Sequence, residues 1–286
     1  MEEGQPSQTA IAAAMARAAH LLLDDDPKIF QDHLAFSLSG VESEAALLAT
    51  HEATPAGHAL RAFATLRMRY TEEALGDALA RGVAQYVILG AGLDSFAYRR
   101  RDLADVVRVF EVDHPATQQW KRARLRTLHI ELPSNLIFVP LDFERQTLAE
   151  GLQAGGLRPE IPPFVSWLGV TMSLTDAAVF ETLRYVASLA PESEIVFQYV
   201  LPEPLLNDEG RQLLAAIQAN VAAQGEPFVT LFEPTTLAAR VQELGFTQVW
   251  DFGPEEADAH YFAGRTDGLH TPPHTHLMKA RVGNVS

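Results

Sequence analysis

An apolar run, Tyr86-Val87-Ile88-Leu89, ends in Gly90-Ala91-Gly92, and a helix-compatible segment from Leu93 to Arg100 follows. No other stretch restricts the fold as much. A short β-branched run between turn signals reads as a buried strand, and two glycines one residue apart read as a tight strand-to-helix turn. Glycine suits that turn because it tolerates positive φ and lets a ligand approach the main chain. A buried strand feeding a helix is the unit of an open α/β sheet, in which ligands bind outside the carboxyl ends of the strands.

A second apolar run, Val107–Val112, ends at Asp113. In nucleotide-binding α/β units, an acid about 20 residues beyond the glycine turn takes the ribose hydroxyls, and Asp113 falls at a comparable interval. The third glycine of the dinucleotide fingerprint is absent, since Ser95 stands near its place, and no basic group follows to meet a pyrophosphate. An adenosyl ligand without phosphates therefore fits better than NAD. S-adenosyl-L-methionine offers a ribose diol, an adenine, a carboxylate and a sulfonium.

The segments LRMRYTEEAL, GVAQYVILGAGLDSFAYRR, VFEVDHPATQQWKR, VPLDFE, FVSWLGVTMSLT and HYFAGRTDGL occur in that order. With them the chain resembles class I S-adenosylmethionine-dependent methyltransferases, specifically the leucine carboxyl methyltransferase-like family and its bacterial members. The resemblance implies a doubly wound, mostly parallel, seven-stranded Rossmann-like α/β sheet with an N-terminal helical cap. Residues 1–80 are expected to form the cap and 81–286 the cofactor-binding core, together one structural unit.

The same resemblance implies site residues. An arginine in the helix before the first strand grips the cofactor's carboxylate; Arg69 is the first choice and Arg67 the second. The turn Gly90, Ala91 and Gly92 meets the cofactor main chain to main chain. Asp113 takes the ribose, and Glu111, two residues earlier on the same strand face, either shares the site or pairs with a nearby base. Asp142 accepts from the adenine amine and Phe143 offers its backbone N–H; the bland reading of Asp142 is a helix N-cap. Leu168 and Ser173 depart from the family pattern, in which many members carry an acid and a tyrosine there. Leu168 is left to pack on the cofactor. His33, with Asp32, and Ser173 and Tyr199 are candidates for the substrate pocket, against lid surface for the first two and packed core for Tyr199. His114 is a weak candidate for a base, and no catalytic residue is assigned.

The chain has 286 residues, 47% of them hydrophobic, a formal net charge of −15 and no cysteine. The charge disfavours nucleic acid and anionic membranes. The absent thiols exclude disulfides and cysteine nucleophiles. The acidic, alanine-rich N-terminus lacks the pattern of a signal peptide, so a cytoplasmic protein is expected. No metal is expected: Asp24-Asp25-Asp26 reads as a solvated turn, and His270, His274 and His276 as a mobile loop. Lys121, Arg122, Arg124 and Arg126 read as a solvated basic face.

Taken together, the sequence points to a transferase that uses S-adenosyl-L-methionine to O-methylate a small molecule or a carboxyl group. The rival readings are an NAD-dependent oxidoreductase and a non-catalytic S-adenosylmethionine-binding protein.

Overall fold

The computed structural model describes residues 7–51, 55–142 and 146–283. Helices α1 (Gln8–Leu23), α2 (Ala35–Ser39), α3 (Glu44–Thr50) and α4 (Pro55–Ala80) precede the first strand. Strands and helices then alternate: β1 (Gln85–Leu89), α5 (Phe96–Arg99), β2 (Arg108–Asp113), α6 (Pro115–Thr127), β3 (Leu136–Pro140), α7 (Leu148–Ala154), β4 (Pro163–Trp167), α8 (Asp176–Ala187) and β5 (Glu194–Val200). Helices α9 (Asp208–Ala223) and α10 (Pro234–Glu243), strand β6 (Phe246–Phe252), α11 (Pro254–Ala257) and β7 (Thr275–Val282) complete the chain.

The seven strands lie in the order β3-β2-β1-β4-β5-β7-β6, with β7 antiparallel to both of its neighbours. Strands β1, β4 and β5 are buried along their whole length. That is why their sequences are continuous apolar runs rather than alternating ones: a parallel sheet is covered on both faces. One face packs Val87, Leu89, Phe110 and Val112 against Leu148 and Leu152 of α7, Leu183 of α8 and Val241 of α10. The other packs Tyr86, Ile88 and Val109 against Ala74, Leu75 and Ala78 of α4 and Phe96 of α5. The second half of α4 therefore lies directly on the sheet, while its first half joins Ile29, Phe252, Phe262 and Leu277 in a separate cluster.

The connection leaves β1 toward β2 and β3 on one side, then returns to β4 and β5 on the other. This reversal opens a crevice beyond the carboxyl ends of β1 and β4. Ala91 N donates to Val112 O at 3.1 Å and Leu141 N to Asp113 O at 2.9 Å, so the first three strands end together.

Helix α7 begins at Leu148, behind a capping box of Thr147 and Glu150. Asp258–Phe262, which runs into HYFAGRTDGL, forms a π-helical turn. No described helix is long and apolar enough to cross a membrane.

Candidate cofactor site at the strand ends

Gly90 and Gly92 take positive φ, +65° and +47°. A Cβ on Gly90 would stand 2.4 Å from Val170 Cγ2, and one on Gly92 would stand 3.0 Å from Ala10 Cβ. The turn is thus roofed on one side by the segment after β4 and on the other by the first turns of α1. Replacing Gly90 with alanine is expected to cost about 1–3 kcal/mol of stability, from the left-handed backbone and the collision together. Urea unfolding checks this, and adding Val170→Ala should recover only the collision part.

Asp113 is half-buried at the end of β2. One carboxylate oxygen accepts from Gly92 N, the other from His114 N at 2.6 Å. Burial raises its carboxyl above the usual range, against the pull of those two N–H groups. Asp142 lies just past the end of β3, the neighbouring strand, and its carbonyl accepts from Gln146 N at 2.9 Å. The two acids therefore sit at the same edge of the crevice. Phe143 lies outside the described residues.

The guanidinium at the strand ends is that of Arg67. Its Nη1 donates to Gln198 Oε1 at 3.0 Å, and its Nε is covered yet without a partner. Among the described residues no carboxylate lies within ion-pair distance of it. Burial, with repulsion from Arg17, lowers its pKa to about 10, and Asp94 pulls the other way. Gly169, at φ +76°, follows β4 where a Cβ would stand 2.9 Å from Arg67 Nη1. Glycine at this point lets the guanidinium lie against the main chain. Arg69 is not gathered here, which reverses the order preferred from sequence. Two positions on along α4 it points to solvent, with a 49% exposed side chain, and pairs with Glu73 one turn away.

Several other expectations change. Glu111 is 1% exposed and its Oε2 accepts from Lys121 Nζ at 2.7 Å, so the pairing alternative is the one seen. Burial pushes its carboxyl up to about 7 despite Lys121. Lys121 accordingly leaves the expected solvated face of α6 for the interior. Leu168 packs between the two clusters that flank α4, and Ser173 is half-buried on the 3-10 turn after Val170.

His33 is exposed, whereas Asp32 is buried, bonded to Arg17 Nε at 2.9 Å and 3.6 Å from Arg99. Tyr199 is core: its hydroxyl donates to Asp251 at 2.6 Å beside His276. His114 Nδ1 accepts from Ala116 N as the cap of α6, which occupies the lone pair a base would use there. His274 is buried, with a pKa lowered by desolvation to about 4, and His276 pairs with Asp251 instead of joining a loop cluster. No group of three potential ligands among the described residues could hold a metal.

Sequence reasoning missed the partners. Gln198 in β5 and Arg17 in α1 touch the site only through the fold: Arg17 Nη2 donates to Leu93 O at 2.8 Å and ties α1 to the glycine turn. Contacts separated by 76 or 131 positions leave no local pattern to read. Two surface clefts, of about 380 and 440 Å³, lie elsewhere, beside Arg265 and beside Trp250. The signals of this site are the converging strand ends and the guanidinium without a carboxylate partner.

Comparison with known proteins shows the family and the fold. The chain is 33% identical over 218 residues to YktD of Bacillus subtilis, covering 75% of this chain and 70% of that protein; YktD is provisionally named an S-adenosyl-L-methionine-dependent methyltransferase. A Mycobacteroides abscessus protein with the same provisional name is 32% identical over 74% of this chain and 69% of its own length. Among solved structures, one from Thermobifida fusca, provisionally named a methyltransferase, superposes with a TM-score of 0.61 at 14% identity, covering 99% of this chain and 97% of that one. The fold likeness extends to a Streptomyces avermitilis protein at a TM-score of 0.56 and 17% identity, covering 86% and 94%. The model of one family, described as leucine carboxyl methyltransferase, matches residues 10–187, a span that holds most of α1, Arg67, the glycine turn, both acids and Val170. The chain belongs to the leucine carboxyl methyltransferase family.

Proposed function

We propose that this methyltransferase binds S-adenosyl-L-methionine across the ends of β1, β2 and β3 and methylates an oxygen of a small molecule or a carboxyl group. The observation that carries the reading is Arg67: a covered, cationic side chain with an unpartnered Nε at the mouth of the crevice. Leaving such a donor unsatisfied is costly, and an anionic group of the ligand, the methionine carboxylate, would satisfy it. Gly90, Ala91 and Gly92 admit the ligand to the main chain, Asp113 accepts from the ribose hydroxyls, and Asp142 with Phe143 meets the adenine. Leu168 packs against the apolar side chains of α4 beside the site. Residues 1–80 serve as a cap on the core formed by 81–286.

The bound sulfonium supplies an activated methyl group. The chain's own work is to fix the ligand, align the acceptor oxygen and exclude water. Val170 and the first turns of α1, which close over the glycine turn, do the excluding. A carboxylate acceptor arrives already ionised and needs no base, which suits a site where His114 is committed to capping α6. The NAD reading is not favoured by the family, and the lack of a third glycine agrees.

Calorimetric titration with S-adenosyl-L-methionine tests the binding; no heat at millimolar ligand overturns it. Transfer of a labelled methyl group then separates acceptors, because an ester loses its label in mild base and an ether keeps it. Asp113→Ala is expected to weaken S-adenosylmethionine and 5′-methylthioadenosine alike, by about 10–100-fold for the loss of hydrogen bonds to a charged group. Calorimetry with both ligands checks that equality.

A further inference from the structure

Gln198 is 6% exposed in β5, and its side chain links Arg67 to β7. Its Oε1 accepts from Arg67 Nη1 at 3.0 Å, its Nε2 donates to Thr275 Oγ1 at 3.4 Å, and its backbone carbonyl accepts from Thr171 Oγ1 on the turn that carries Val170. Opposite Gln198, Gly169 leaves room for the guanidinium against the main chain. The guanidinium is thereby held in one orientation between β5 and the end of β4.

What distinguishes Gln198 is that it is neutral. A buried arginine normally meets a carboxylate. Here it meets an amide oxygen, which orients the fork without neutralising it. A glutamate has nearly the same shape, but at this distance it would form an ion pair and compete with an incoming carboxylate for the same donors.

We infer that Gln198 is a positioning and specificity-determining residue, which holds Arg67 in place while leaving its charge free for the carboxylate of an amino-acid tail. This rests on the reading of Arg67 as the group that receives the cofactor's carboxylate. It makes the site selective for adenosyl thioethers that carry such a tail over those that lack one. Gln198 acts only through Arg67 and touches no reacting atom.

Two probes separate the tail from the rest of the ligand. S-adenosylhomocysteine carries the amino-acid tail; 5′-methylthioadenosine shares its adenosine and sulfur but lacks the tail. By calorimetry the full-length wild type is expected to bind the first about 10–100-fold more tightly, as a charge-assisted pair predicts. Gln198→Glu is expected to remove most of that difference by weakening S-adenosylhomocysteine about tenfold or more, with 5′-methylthioadenosine unchanged within about twofold. Gln198→Leu, which frees the guanidinium to rotate, is expected to cost about 3–10-fold, again only for the ligand with a tail. Retained 5′-methylthioadenosine affinity shows that each variant is folded. An undiminished preference for the tail in both variants overturns the inference and leaves the function standing. A wild type that binds neither ligand overturns the function itself, and one that binds both equally removes the role of Arg67 and this inference with it.

Discussion

Replacing Arg67 with leucine is expected to weaken S-adenosyl-L-methionine binding by about 2–4 kcal/mol, roughly 30- to 1,000-fold, the range for losing two hydrogen bonds between charged groups in an enclosed site. The same change at Arg69 should stay within about twofold, because an exposed pair one helical turn apart contributes only about 0.3–0.5 kcal/mol and lies off the crevice. The contrast is sharpened by stability. Arg67 is covered without a carboxylate partner, so its removal takes away a desolvated charge while leaving only Gln198 Oε1 without its donor. Those terms oppose one another, and the unfolding free energy should move by no more than about 1 kcal/mol. Calorimetry and urea unfolding on both variants decide the matter. A large loss of affinity in Arg69→Leu with Arg67→Leu unaffected would mean that the guanidinium at the crevice is not the one the ligand uses.

The choice between these two arginines shows where reading the sequence stopped. Both lie in LRMRY, and the pattern alone does not say which side of a helix faces the sheet. Two residues along a helix turn a side chain through about 200°, so placing one at the crevice sends the other to solvent. The decision is made by packing: Leu66 joins the cluster that anchors the first half of α4, and Arg67 next to it is turned toward Gly169 and Gln198. The alternation of strands and helices, and the positions of Asp113 and Asp142 just at or after strand ends, were legible, because buried strands, glycine turns and terminal acids are local features. Lys121 was not, since a lysine on a helix reads as surface until a buried Glu111 calls it inward. Tyr199 was equally ambiguous, being near a strand end by sequence but held in the core by Asp251.

Of the DDDP turn, Asp25 and Asp26 are exposed, but Asp24 was misread for the same reason, and it gives the second large effect. Asp24 does not face water. It is 5% exposed and accepts from Arg61 Nε and Nη2 at 3.0 and 2.9 Å, and from His20 Nδ1 at 2.8 Å. His20 Nε2 in turn accepts from Ile29 N at 3.0 Å. The network ties the end of α1 to the first half of α4, so it anchors the helix whose first turn roofs the glycine turn. Asp24→Ala would leave the Arg61 guanidinium, itself 1% exposed, buried without a counter-charge. Removing one partner of a buried pair costs about 3–5 kcal/mol, a large share of the roughly 5–15 kcal/mol that holds a typical protein folded.

The loss should depend on pH in a definite direction. Burial alone would raise the Asp24 carboxyl, but hydrogen bonds from His20 and Arg61 outweigh it, and its pKa falls below the usual value of 3.8. Asp32, buried against Arg17 and Arg99, is lowered in the same way. A carboxyl whose folded pKa is depressed contributes stability that is fully present above its unfolded pKa and is lost as pH falls through the folded one. Wild type and Asp24→Ala should therefore differ by the full amount at pH 7 and begin to converge as pH falls below about 4. Urea midpoints at pH 7 and pH 3 measure whether the gap narrows. A variant within about 1 kcal/mol of wild type at pH 7, or a gap that does not narrow in acid, would show that this carboxylate does not hold α1 to α4 as an ion.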